Sequence, residues 1–264
     1  MIVNKGLKYN IENDDLFGTV VEGTSNTLTY SGATSLREYA FVAQSDLTEV
    51  SFPNCIGIGS NAFSGCSSLV SVNFPDCTYI GSSAFWRCSS LLSVDFPACL
   101  STGEGAFSGC TSLTGVNFPI CEITGTMAFL NCTSLKSVNL SACTSTSYGT
   151  FIGCTSLTEI SLPACTYLAT DTFKTCTSLK SVYLPVCSII ETSAFYSCSN
   201  LINVTLGGSS VCTLNSSKVF ASTPIGGYTT VAGRVGSVYV PASLLTEYKK
   251  AVNWNYFSYR IVGY

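Results

Sequence analysis

Apolar side chains recur along this chain with a period of 22 residues. Leu47, Leu69, Leu91, Leu113, Leu135, Leu157, Leu179 and Leu201 keep that spacing, as do Phe41, Phe63, Phe85, Phe107, Phe129, Phe151, Phe173 and Phe195. Counted from each leucine, Val or Ile follows at +3 (Val50, Val72, Val94, Val116, Val138, Ile160, Val182, Val204). Phe or Leu follows at +5 (Phe52, Phe74, Phe96, Phe118, Leu140, Leu162, Leu184, Leu206). Polar residues at +2 and +4 alternate with these, which is the period of a strand buried on one face. Proline at +6 ends the strand in six units (Pro53, Pro75, Pro97, Pro119, Pro163, Pro185), and Ser141 stands where another would fall. The other half of the unit, as in Ile80 to Cys88, is too short and too rich in Gly and Ser for a full helix. It predicts a tight turn or a short extended or 3-10 piece. One unit cannot bury enough apolar surface to offset the ordering of its own backbone, so the units must stack.

The expected fold is a mainly β solenoid, a right-handed superhelix of about eight to nine 22-residue coils with a parallel sheet on one side. Solenoids need capped ends. Residues 1–35 read as an N-terminal cap, with short strands at Lys8 to Ile11, Gly18 to Glu22 and Thr27 to Tyr30 forming a β-hairpin over the first coil. Residues 36–222 read as the stack, in which a slip of three residues near Gly207-Gly208-Ser209-Ser210 is recovered at Phe220. Residues 223–264 read as a degenerate last coil and a helical C-terminal cap. There Leu244, Leu245, Tyr248 and Val252 fall at helical spacing with Ser243 as N-cap, and Trp254, Tyr256, Phe257 and Ile261 complete the plug.

The fifteen cysteines follow the repeat. Seven stand at +8 (Cys55 to Cys187) and seven at +19 (Cys66 to Cys198), with Cys212 in the degenerate unit. Stacking in register sets their Cβ vectors parallel, against the near-perpendicular torsion of a disulfide, and the number is odd. They read as reduced core thiols acting as small hydrophobes. No Cys-x-x-Cys spacing and no histidine exist, so no metal or other cofactor is expected. One further column changes character: Ile58 and Ile80 at +11 give way to Thr102, Thr124 and Thr146, then Leu168 and Ile190. A local hydrogen-bonded threonine ladder or a small shift of chain path is the ordinary reading, and a buried ligand site, which nothing else in the sequence supports, is the alternative.

Charge narrows the function classes. Lys plus Arg number 12 and Asp plus Glu 15, for a net charge of −3 and no basic run, which excludes a nucleic-acid footprint. The lack of histidine removes the commonest general base, and the acidic residues are scattered through different units, so no enzyme is expected. No stretch approaches the length of a membrane span, and residues 1–6 lack the apolar core of an export signal.

The unit Leu-x-x-Val-x-Phe-Pro-x-Cys-x-x-Ile-Gly-x-x-Ala-Phe-x-x-Cys-x-Ser, as in Leu69 to Ser90, resembles the BspA-type leucine-rich repeat over roughly residues 36–220. The stretch from Thr223 through Val238-Tyr239-Val240-Pro241 to Trp254 resembles endings of such proteins from gut Firmicutes and their phages. The resemblance implies cell-surface or secreted binding and adhesion, without catalytic residues. The chain would then recognise a protein or glycan and be extracellular, with its export signal outside this sequence. A virion fibre or decoration protein, made in the cytoplasm, or a filament-forming subunit, is the alternative.

The outward sheet positions are free to vary and are the candidate binding residues: Glu49, Ser71, Asn73, Ser93, Asp95, Asn117, Asn139, Glu159, Ser161, Tyr183, Asn203 and Thr205. The competing reading is a solvated face that only keeps the protein soluble. Trp86, Arg87 and Tyr196, on the opposite turn, form a second candidate, with packing between coils as the ordinary explanation.

Overall fold

The computed structural model describes residues 3–4, 7–8, 10–12, 15–17, 26–227 and 235–264. Each +2 to +4 segment is a strand: β1 (Thr27–Thr29), β2 (Glu49–Ser51), β3 (Ser71–Asn73), β4 (Ser93–Asp95), β5 (Gly115–Asn117), β6 (Ser137–Asn139), β7 (Glu159–Ser161), β8 (Ser181–Leu184) and β9 (Asn203–Leu206). β10 (Ser237–Val240) and, after helix α1 (Leu245–Lys250), β11 (Ile261–Gly263) continue the series. Pairing is parallel and in register, so that Val94 lies opposite Val116, which lies opposite Val138. The stack makes about ten coils rather than eight to nine. Thr27–Thr29, read from sequence as part of the cap, is the first rung, and β10 and β11 add rungs after the repeat has degenerated.

The +10/+11 segment is also extended and forms a second, narrower parallel sheet opposite the first, as in the register of Gly57, Tyr79 and Ser101. Two turns then carry the chain back, each through a left-handed residue. The +14 and +18 columns all have φ between 53° and 77°, whether or not the residue is glycine: Ser83 and Arg87, Gly105 and Gly109, Asp171 and Thr175. This double corner, which period analysis cannot see, makes the half-turn compact. At +12 the coils approach so closely that a Cβ on Gly81 would lie 2.5 Å from the Ser60 nitrogen and 2.6 Å from the Gly59 carbonyl carbon.

Like residues form columns inside the stack. Phe41, Phe63, Phe85, Phe107, Phe129, Phe151, Phe173, Phe195 and Phe220 are nine stacked rings, with centroids 5.1–5.6 Å apart and planes within 9°. The last step confirms that Phe220 recovers the register after the insertion. All fifteen cysteines are free and buried. They are more than filler, because each of the seven +19 thiols donates to the Phe carbonyl of the preceding coil, as Cys88 does to Phe63 (3.1 Å) and Cys110 to Phe85 (3.1 Å). The +8 thiols donate to the carbonyl two residues on, as Cys77 does to Tyr79 (3.2 Å).

The threonine column is a hydrogen-bonded ladder. In regular coils the +12 N–H donates to a backbone carbonyl, as Gly103 does to Ile80 (2.7 Å). At Thr102 and Thr146 the threonine hydroxyl takes over as acceptor: Gly125 N–H bonds Thr102 Oγ1 and Ala169 N–H bonds Thr146 Oγ1, both at 3.0 Å, whereas Ser147 N–H, in the coil after Thr124, donates to Thr150 Oγ1 (3.2 Å). Thr124 and Thr146 also bond Thr150 and Thr172 of the following coil at 3.1 and 3.0 Å. The second sheet narrows here to single bridges.

Both ends are covered. Asn10–Glu12 and Asp15–Phe17 form an antiparallel hairpin whose second strand joins the narrow sheet beside Ser35–Leu36. The strand expected at Lys8 to Ile11 divides between Leu7–Lys8 and Asn10–Glu12, and the one expected at Gly18 to Glu22 lies outside the described residues. At the other end Trp254 Nε1 donates to the Cys212 carbonyl (2.6 Å), Cys212 N–H donates to the Tyr248 hydroxyl (2.9 Å), and Phe257 sits edge-on to Phe220. The helix is shorter than its spacing suggested. It starts after a 3-10 turn at Ala242–Leu244 and has no side-chain cap, so Ser243 is a turn residue and not the N-cap. Only Tyr248 of the expected stripe is buried, and Val252 is 81% exposed, because the chain leaves the helix at Ala251 for a turn and the 3-10 segment Asn255–Arg260 that precedes the last strand.

Two predictions follow from the packing. Gly81→Ala forces backbone apart and lowers the unfolding free energy by about 3 kcal/mol. Thr175→Gly relieves a β-branched residue at φ 59° and raises it by roughly 0.5–1 kcal/mol, both read as urea midpoints. Burial pushes the thiols of Cys55 and Cys66 up from 9.0 to about 11 and those of Cys77, Cys110, Cys143 and Cys165 to about 12. Above pH 9 the unfolded chain loses these protons while the native state keeps them, so unfolding is favoured by about 1.4 kcal/mol per pH unit for each such thiol. Circular dichroism against pH should therefore show full stability below pH 9 and cooperative loss between pH 9 and about 12; a fold that persists through pH 12 would contradict it.

Candidate binding surface

Pleating sends the +3 and +5 side chains inward and the +2 and +4 side chains outward. Glu49, Ser71, Asn73, Ser93, Asp95, Asn139, Glu159, Ser161 and Tyr183 are exposed, and Asn117, Asn203 and Thr205 are half-buried. All twelve sequence-derived positions thus share one face. They are not equally free, because several bond each other across rungs. Asn73 donates to Ser51 (2.8 Å), Asn117 to Asp95 (2.8 Å) and Asn139 to Asn117 (2.7 Å). The +4 column from β2 to β6 is therefore partly an internal polar ladder.

The C-terminal part of the face differs in shape. The sheet steps twice, between β3 and β4 and between β6 and β7. At the second step no backbone hydrogen bond joins 136–140 to 158–162 among the described residues. Ser141 bonds the other way, its hydroxyl donating to the Pro119 carbonyl (3.0 Å) and holding β6 to β5. Beside this step lies a concavity of about 440 Å³ lined by Lys136, Glu159, Ser181, Tyr183 and Thr205 among others. A neighbouring one of about 370 Å³ is lined by Ser181, Asn203, Thr205, Tyr239 and Tyr264.

Tyr239 and Tyr264 were not among the positions read from sequence. A signal for Tyr239 was present: Ser237-Val238-Tyr239-Val240-Pro241 repeats the strand pattern of Ser181-Val182-Tyr183-Leu184-Pro185. The insertion before it hid the register.

Trp86, Arg87 and Tyr196 lie on the left-handed corner. Arg87 folds over the ring of its neighbour Trp86, 4.2 Å from the centroid. Lys174 stands 5.8 Å from the Tyr196 ring while bonding Asp171 at 2.9 Å. Trp86 and Tyr196 share a column but are five coils, roughly 24 Å, apart. The structure does not bring them together.

The family model for the BspA type leucine rich repeat region matches residues 34–146 and 122–230, in six copies. No curated protein matches the chain. Among solved structures, the chain is similar to a leucine rich cell surface protein from Faecalibacterium prausnitzii (20% identity, 91% of this chain and 88% of that one, TM-score 0.60). It is also similar to the leucine-rich repeat protein of T. pallidum (24% identity, 68% and 91%, TM-score 0.58). A third is the pneumococcal vaccine antigen PcpA (13% identity, 90% and 77%, TM-score 0.50). At these identities the likeness carries the fold alone, whereas the family model spans most of the stack: the chain belongs to the BspA-type leucine-rich-repeat family.

Proposed function

We propose that this chain is a non-catalytic binding module of adhesion type, displayed outside the cell, which recognises a protein or glycan through the outward face of the main sheet. The observation that carries the reading is the face itself: some ten coils hold one set of outward positions in strict register while the inward ones are fixed by packing. Only the outward set can vary without disturbing the packed core, and it is polar, extended and nearly uncharged. The F. prausnitzii relative is described as a cell surface protein, which supports display. The binding positions proposed are Glu49, Ser71, Asn73, Ser93, Asp95, Asn117, Asn139, Glu159, Ser161, Tyr183, Asn203 and Thr205. No helix of the described residues is long and apolar enough to cross a membrane, so display through such a helix would need a segment outside them.

The test is adhesion of the labelled chain to immobilised matrix proteins and to whole host and bacterial cells. Asn73→Arg with Asn117→Arg, which places bulky charges on the face without touching the core, should reduce retention about tenfold. Trp86→Ala with Tyr196→Ala should leave it unchanged. Equal adhesion by the face variant, or loss in the corner variant, would contradict the assignment.

A further inference from the structure

We infer that the C-terminal part of the sheet face holds a neutral oligosaccharide, in a trough walled by Tyr183 and Tyr239 and floored by Ser181, Asn203 and Thr205. The inference rests on the reading of the sheet face as the binding surface, and names the ligand class that one stretch of it takes.

Register places Ser161, Tyr183, Thr205, Tyr239 and Val262 in a single outward column. The two tyrosines are therefore two rungs apart, about 10 Å, with a small side chain between them. Tyr183 is 47% exposed, so its ring stands clear of the sheet. Ser181 and Thr205 line both concavities, so the two lie side by side along the face, from the step at β6 and β7 towards the end of the chain. Tyr264 closes the far end and is held there by its hydroxyl, which donates to the Leu206 carbonyl (3.3 Å).

The chemistry of this trough fits a sugar chain. A pyranose ring offers an apolar C–H face and a rim of hydroxyls that both donate and accept. Tyrosine rings provide flat apolar contact at little entropic cost, and Ser, Thr and Asn side chains likewise donate and accept. Unladdered backbone at the step adds further polar groups beside the trough. The only charged side chains in the lining, Lys136 and Glu159, are opposite in sign and stand at one end, which favours a neutral ligand over an acidic or basic one. An extended peptide, even with the open backbone at the step to pair with, would need apolar or charged side-chain pockets along its length. The floor of Ser181, Asn203 and Thr205 supplies no such pockets.

The experiment is isothermal titration calorimetry of the full chain with hexamers of cellulose, xylan, mannan and chitin, and with a proline-rich peptide as the alternative occupant of an aromatic groove. At least one neutral hexamer should bind, and Tyr183→Ala with Tyr239→Ala should weaken it about tenfold or more. Thr205→Arg, which fills the floor while leaving both tyrosines in place, should do the same, and thermal unfolding verifies that each variant is folded. Unchanged sugar binding in a folded Thr205→Arg variant, no binding of any neutral hexamer, or binding of the peptide instead would overturn the inference. If the hexamers fail while Asn73→Arg with Asn117→Arg still abolishes adhesion, only the sugar assignment falls. If that face variant also adheres normally, the underlying reading of the sheet falls with it.

Discussion

Contact between equivalent residues of successive coils supports everything else in this molecule. A coil of 22 residues has no core of its own. Its inward phenylalanines and leucines are buried only because the coils on either side present the same residues at the same height. The nine-ring column shows how strict this is, with planes that never tilt by more than 9° from Phe41 to Phe220. Offset stacking of parallel rings is a favourable arrangement in itself. Its larger consequence is that each coil fixes the register of the next.

Such stacking also dictates how buried polar atoms are satisfied. Backbone groups at the corners lie too deep for water, so the side chains beside them must be small and able to bond. Cysteine meets both needs at +19, where its sulfur fills apolar space and its hydrogen reaches the carbonyl of the coil before. Burial at the same time pushes the thiols of Cys66, Cys88, Cys110 and Cys132 up, which makes them poor acids and hence poor nucleophiles. Threonine does the corresponding work at +11, accepting from a backbone N–H that the shifted chain path has taken out of reach of its usual carbonyl.

The columns, the inward and outward assignment, the thiol ladders and the threonine ladder were all legible in the sequence, because each repeats with the period. What escaped were features in which different residues share one conformation, or in which the period is interrupted. Ser83, Gly105, Met127 and Asp171 have nothing chemical in common, yet all take the left-handed corner at +14. The sheet steps between β3 and β4 and between β6 and β7 while the 22-residue spacing of the sequence continues unchanged. Tyr239 was hidden by the insertion ahead of it, and Tyr264 reaches the face only because the chain turns back after α1 into a last rung. Val252 follows the helical spacing but lies past the helix end, in the turn before the 3-10 segment Asn255–Arg260.

The binding face is a by-product of the same order. Inward positions are bound by their neighbours, and outward ones are carried at fixed intervals on a rigid support, with a local opening where the ladder steps. The most direct test of coil-to-coil contact as the source of stability is native-state hydrogen exchange on the full chain carrying Phe129→Ala, a truncation at the middle of the ring column. Interface-borne stability predicts a loss of about 3–5 kcal/mol, with amides of the coils on both sides of the site losing protection together. Loss confined to the coil from Leu113 to Leu135, with its neighbours protected as before, would contradict it.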